Sequence, residues 1–119
     1  MNMLEIGFET VKVAEHWGDR MPMMAMEECG ELIQAISKYE RALVEVKNRN
    51  EKPSEKDEAA QNAFDTETWE IYNFARQHLI DEIGDMWISL MALQAHYDEK
   101  GDMADRIDAR IEYKLKKKY

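Results

Sequence analysis

The sequence predicts an all-α protein, and three observations carry that expectation. Two long stretches place apolar residues at alternating steps of four and three. Only two Pro and five Gly interrupt 119 residues, of which 45% are hydrophobic and 34% charged. No segment shows the strict alternation of apolar and polar residues that marks a half-buried strand.

The first element is the stretch MLEIGFETVKVAEHWG, where Leu4, Phe8, Val11 and Ala14 share one helical face and Gly18 marks the end. A second helix is expected from about Pro22, a residue suited to a first helical turn, almost to Asn48. Ala25, Cys29, Leu32, Ile36, Tyr39, Leu43 and Val46 form its expected apolar stripe. Residues 47–68, polar and charged, predict a loop, with Ser54 beside Pro53 as a possible cap and a short helix from about Asp57 to Phe64. A third long helix is expected from near Thr66 to before Gly101, with Leu79, Ile83, Met86, Leu90 and Leu93 as its stripe. The last, from about Asp102 to Lys117, carries Met103, Ile107, Ile111 and Leu115 on one side.

Length predicts one domain over residues 1–119, with a core small enough that partner subunits are expected to complete it. A net charge of −9 argues against a protein that coats nucleic acid or an anionic membrane, because both need a basic surface. The single cysteine, Cys29, cannot close an internal disulfide, and no stretch has the features of a signal peptide or approaches the roughly 20 apolar residues of a membrane span. These features predict a cytoplasmic location.

One phrase is written twice. EECGEL at 27–32 and DEIGDM at 81–86 overlay with an offset of 54 (82 minus 28), so that Glu28 meets Glu82, Gly30 meets Gly84 and Glu31 meets Asp85. Residues three apart share a helix face, so each phrase presents two acids beside its apolar stripe. If the stripes pack together, up to four carboxylates meet in one partly buried cluster, which is untenable without a positive partner. Neither phrase has a basic neighbour within its own turn, since Lys38 and Arg76 stand nearly two turns or more away. Carboxylate oxygens suit a hard divalent cation such as Mg²⁺ or Mn²⁺, which completes its shell with water and substrate phosphates. Paired helical glycines, each costing about 1 kcal/mol relative to Ala, fit either a close crossing or room for a ligand. The bland alternative is two solvated acidic helix faces.

EECGELIQAIS followed by DEIGDMWISLMAL resembles the EExxE and ExxD motifs of the MazG-like all-α nucleoside triphosphate pyrophosphohydrolases, a group related to dimeric dUTPases and dCTP pyrophosphatases. The resemblance covers the two central helices well and the flanking ones loosely. It implies a four-helix MazG-like bundle completed as a homodimer or homotetramer, and Mg²⁺-assisted attack of water on a (d)NTP, releasing the monophosphate and pyrophosphate. Carried over by position, the resemblance implies Glu28, Glu31, Glu82 and Asp85 as metal ligands, with Glu27 a further catalytic candidate, either as a ligand or for orienting the water. The chain departs from the pattern in the length between the motifs, about fifty residues from Glu31 to Glu82, with a polar insertion at about 48–66. Asn62, Phe64, Trp69 and Tyr72 in and after that insertion are expected to cover the pocket or extend an interface.

Secondary candidates for substrate contact are Lys38, two turns past Glu31, and Arg110 and Lys114 on the basic face of the last helix, where cations also complement the helix dipole. Trp17 is the preferred candidate for stacking on a base, and Trp87 is expected in the core. Three other readings compete. Ferritin-like di-iron chemistry requires Glu-x-x-His, and position i+3 here is acidic. A non-catalytic nucleotide-binding or helical oligomerisation protein, and a phosphoribosyl-ATP pyrophosphatase, stay open.

Overall fold

The computed structural model describes residues 1–51 and 58–118. Its elements are α1 (Met3–Trp17), a 3₁₀ turn (Gly18–Arg20), α2 (Met21–Glu51), α3 (Glu58–Tyr97) and α4 (Met103–Lys118). The protein is all-α, with no strand among the described residues. No helix among them is long and apolar enough to cross a membrane.

Local chemistry sets the boundaries. Asn2 caps α1, its Oδ1 accepting from the Glu5 amide at 2.9 Å, and Gly18 ends that helix at φ 53°, a left-handed value that favours glycine. Asp98 Oδ1 accepts from the Met103 amide at 3.2 Å, holding the start of α4 after Gly101 turns the chain at φ 73°. The expected loop at 47–68 is much shorter, because α2 continues to Glu51 and α3 already begins at Glu58. Glu, Lys and Gln are polar yet strong helix formers, and Ala is the strongest of all, so polarity is a poor guide there. Pro53, Ser54 and Asp57, and the side chains of Asn62 and Phe64, lie outside the described residues, while the rest of the expected short helix forms the start of α3.

The chain divides into two compact units, Met1–Ala25 with Trp87–Tyr119, and Met26–Met86. In the first, Ala14, Met21, Ala25 and Ala92 form a small buried cluster, with Val13, Trp17, Met24 and Leu93 packed against it. Along α4, Ile107, Ile111 and Leu115 are exposed. Trp87, expected in the core, is 61% exposed.

The second unit is an antiparallel pairing of α2 and α3. Cys29 Sγ meets Met86 Sδ at 3.5 Å, and two turns and more along, Tyr39 Oη stands 3.3 Å from Tyr72 Oη. The seam runs through Glu28, Leu32, Ala35, Tyr39, Ala42 and Val46 on α2 and Thr68, Tyr72, Ala75, Leu79, Glu82 and Met86 on α3, all buried or half-buried. Steps of four and three alternate through both sets, the spacing of a coiled-coil seam. Of the expected stripes, Leu32, Tyr39, Val46, Leu79 and Met86 lie in this seam, whereas Cys29, Ile36 and Ile83 are exposed and their neighbours Glu28, Ala35 and Glu82 take the seam positions instead. Small alanines at Ala35, Ala42 and Ala75 let the helices approach between the larger seam residues.

Ala35, fully buried, is the most sensitive point of this seam. Ala35→Leu overpacks it and is expected to cost roughly 1–3 kcal/mol, seen as a lower midpoint in urea denaturation followed by circular dichroism. Exposed Gln34→Ala is expected to stay within about 0.5 kcal/mol of the parent.

Candidate functional site

Packing α2 against α3 brings the two halves of the repeated phrase together inside the second unit. Oxygens of Glu28, Glu82 and Asp85 all lie within 4.8 Å of one another. Two oxygens that hold one Mg²⁺ from opposite sides stand about 4.2 Å apart, twice the usual ligand distance, so the three acids need little adjustment to share a cation. Glu28 and Glu82 occupy seam positions, whereas Asp85, one turn on from Glu82, is exposed at the rim.

Burial makes the arrangement expensive. Glu82 is only 8% exposed, and one oxygen each of Glu28 and Glu82 is buried without a hydrogen-bond partner. No ion pair among the described residues reaches any of these acids. Unpartnered buried carboxylate oxygens cost free energy, and a bound cation removes that cost. The donor set is all oxygen, which suits a hard divalent cation.

Titration follows the same logic. Burial, then the carboxylates of Glu31, Asp85 and Glu82, and last a hydrogen bond with Glu31, push the Glu28 carboxyl above its ordinary value of 4.5. Glu82 is also pushed up, by burial first and then by Glu31 and Asp85, while His78 pulls it partly back. His78 reads from the sequence as an ordinary helix residue, yet it stands one turn before Glu82, and that four-residue spacing is the signal for its influence.

Glu31 is exposed and lies outside the tight group of three, close enough for its charge to act on both Glu28 and Glu82. Glu27 is exposed on α2. Lys38, also exposed, belongs to the same unit as the acids. Trp17, Arg110 and Lys114 belong to the other unit. There the Trp17 ring meets the edge of His16 at 5.1 Å and carries the Arg20 guanidinium 5.2 Å from its centroid. Arg110 lies 5.4 Å from the centre of the Tyr113 ring, and Lys114 is exposed. Trp69 packs edge-on to Tyr72, whose ring tilts against Tyr39, so these aromatics form a ladder on the second unit.

The glycines are not a close helix crossing. A Cβ built on Gly30 or Gly84 meets nothing within 4 Å, so the space beside the acids is open. Of the two expectations, room for a ligand is the one consistent with this.

Compared with models of known protein families, with curated proteins and with solved structures, the chain matches none.

Two outcomes follow from this geometry. Because the carboxyls of Glu28 and Glu82 bind protons more tightly folded than unfolded, their contribution to stability is greatest below about pH 4.5 and is lost as pH rises through the raised values. In EDTA, urea midpoints are therefore expected to fall on going from pH 5 to pH 7.5, and Glu82→Gln to flatten that slope. Added Mn²⁺ or Mg²⁺ is expected to stabilise more at pH 7.5 than at pH 5, since ligation needs the ionised acids. Separately, Gly84→Ala fills open space on a helix and is expected to raise stability by about 0.5–1 kcal/mol in the same assay.

Proposed function

We propose that the protein is a Mg²⁺-dependent nucleoside triphosphate pyrophosphohydrolase that converts a (d)NTP and water to the (d)NMP and pyrophosphate. The observation that carries this reading is the pair of buried carboxylate oxygens on Glu28 and Glu82 that lack a protein partner, set beside Asp85 and Glu31 on two matched helices. A site so negative repels a triphosphate unless cations neutralise both. The likeness of the two motifs to the EExxE and ExxD motifs of the MazG-like group supports the same conclusion from the sequence side.

In this reading Glu28, Glu82 and Asp85 hold the cation and Glu31 completes the acidic shell. When bound, a hard divalent cation supplies charge neutralisation to the phosphates and Lewis-acid activation to the attacking water. Glu27, exposed on α2, orients that water. The water oxygen bonds to the α-phosphorus, the bridging P–O bond to the β-phosphate breaks, and its electron pair leaves with pyrophosphate. No nucleophilic side chain takes part. A seam placement of Glu28 and Glu82 also serves catalysis, because rigid helix positions keep the acids preorganised.

The reading includes a helical bundle completed by a homodimer or homotetramer in the cytoplasm. Ile33, Ile36 and Ile83 of the second unit are 67%, 44% and 47% exposed, an apolar surface of the kind that a second subunit covers.

The test is pyrophosphate release from a panel of NTPs and dNTPs, with phosphoribosyl-ATP included, in Mg²⁺ or Mn²⁺. Release is expected to stop in EDTA and to fall by more than about a hundredfold in Glu82→Gln and Asp85→Asn, because even partners one shell beyond a metal cost about 10–100-fold. A folded, metal-binding protein that releases no pyrophosphate from any of them overturns the hydrolase and favours a nucleotide-binding role.

A further inference from the structure

The acidic site is one end of a longer flank. On α2 the residues Glu31, Lys38, Arg41 and Glu45 follow at steps of seven, three and four, so they lie along one side of the helix. On α3 the residues Asp85, His78, Phe74 and Ile71 follow at seven, four and three. The helices run antiparallel, so the two rows face each other across the same flank, acids at one end and mixed chemistry at the other.

At that other end is a cavity of about 340 Å³, walled by Lys38, Arg41, Glu45, Ile71, Phe74 and His78. Ala42 and Ala75, both buried seam residues, form its floor. Its volume falls in the range of small-molecule sites, and its composition is that of such sites, an apolar floor with a few polar groups at the rim. Phe74 is 78% exposed and offers a flat apolar face. Among the described residues neither Lys38 nor Arg41 forms an ion pair, although the chain carries 25 acids against 16 basic residues. Arg41 Nε reaches only the Ser37 carbonyl, at 3.4 Å.

We infer that this groove seats the nucleobase of the substrate, with Phe74 as its stacking face and Lys38 and Arg41 as donors to base carbonyl oxygens. The inference rests on the pyrophosphohydrolase reading of the adjoining acids and names the part of the substrate that this chain recognises. Lys38 stands two turns beyond Glu31, about 10.5 Å along the helix, a distance that a ribose and base cover from a 5′-phosphate. The distal phosphates are the poorer occupant. Ile71, Phe74 and the alanine floor offer them no hydrogen bonds, and the Glu45 carboxylate repels them. A base gains from all of these surfaces, because every base has a π-face and an imino or amino N–H that can donate to Glu45. Lysine and arginine donate only, and a carbonyl oxygen accepts from a cationic donor more strongly than a ring nitrogen does, so the groove favours uracil, thymine, guanine and cytosine over adenine, whose acceptors are all ring nitrogens.

The experiment measures steady-state hydrolysis of the four dNTPs and dUTP by the full chain, Phe74→Ala, Arg41→Ala and Lys38→Ala, beside titration of deoxyuridine and deoxyadenosine against the His78 ring resonances in NMR. Both Phe74 and Arg41 are exposed, so their removal leaves the seam intact. Phe74→Ala is expected to raise KM about tenfold with kcat little changed, the size and pattern of one lost base stack. Arg41→Ala is expected to reduce the discrimination against dATP by about tenfold, with Lys38→Ala acting in the same direction. Unchanged KM and unchanged dATP discrimination in these variants, with hydrolysis intact, overturn the base seat and leave the hydrolase standing. If the parent hydrolyses none of the five, the hydrolase fails and the groove is judged by NMR alone: movement of His78 with deoxyuridine and not with deoxyadenosine supports it, and no movement overturns it.

Discussion

Two carboxylates in a helix–helix seam are the constraint around which the second unit is organised. Glu28 and Glu82 occupy positions where a coiled-coil-like pairing ordinarily places leucine or alanine, and each keeps a buried oxygen without a protein partner. Like charges so placed repel, and burial penalises each one again. The pairing must draw its stability from elsewhere along the seam. Ala35, Ala42 and Ala75 are all buried and small, so the helix backbones approach closely on the side away from the acids' end. The tyrosine pair at Tyr39 and Tyr72 adds a tilted ring contact in the middle.

This division of labour explains where function lies. Apolar packing fixes α2 and α3, and their fixed geometry in turn sets the spacing of three acids that repel one another in the absence of a cation. A site that is costly when empty binds its ion at the expense of strain already present, which favours binding to the folded chain over the unfolded one. Open space beside Gly30 and Gly84 leaves the approach to the acids unobstructed. The flank that leaves the acids and ends at Phe74 continues the same two helices, so the acids and the groove share one frame.

Legibility of the sequence differed with the kind of feature. The repeated phrase already named the three acids that the structure groups, together with Glu31, which stands outside them, because residue identity at three-residue spacing is a local property of any helix. The helix count and the ends at Gly18 and Gly101 were equally local. Helix lengths around 47–68 were misjudged because a charged stretch rich in Glu, Lys and Ala reads as a loop by polarity and as a helix by propensity. Trp87 and Ile83 were assigned to buried faces on hydrophobicity alone and are exposed.

By itself the sequence determined an all-α chain and two matched acidic phrases on its long helices, since both follow from periodicity and charge within single helices. Only the tertiary structure decided which face of each helix is the seam, and with it that Glu82 is buried and Glu28 half-buried while Glu31 and Asp85 are exposed. It alone set Lys38 and Arg41 across a groove from Phe74. The physical reason is that a rotation of one residue about a helix axis, about 100°, barely changes a hydrophobic pattern yet exchanges the buried residues for their neighbours, and only packing against a second helix fixes that rotation.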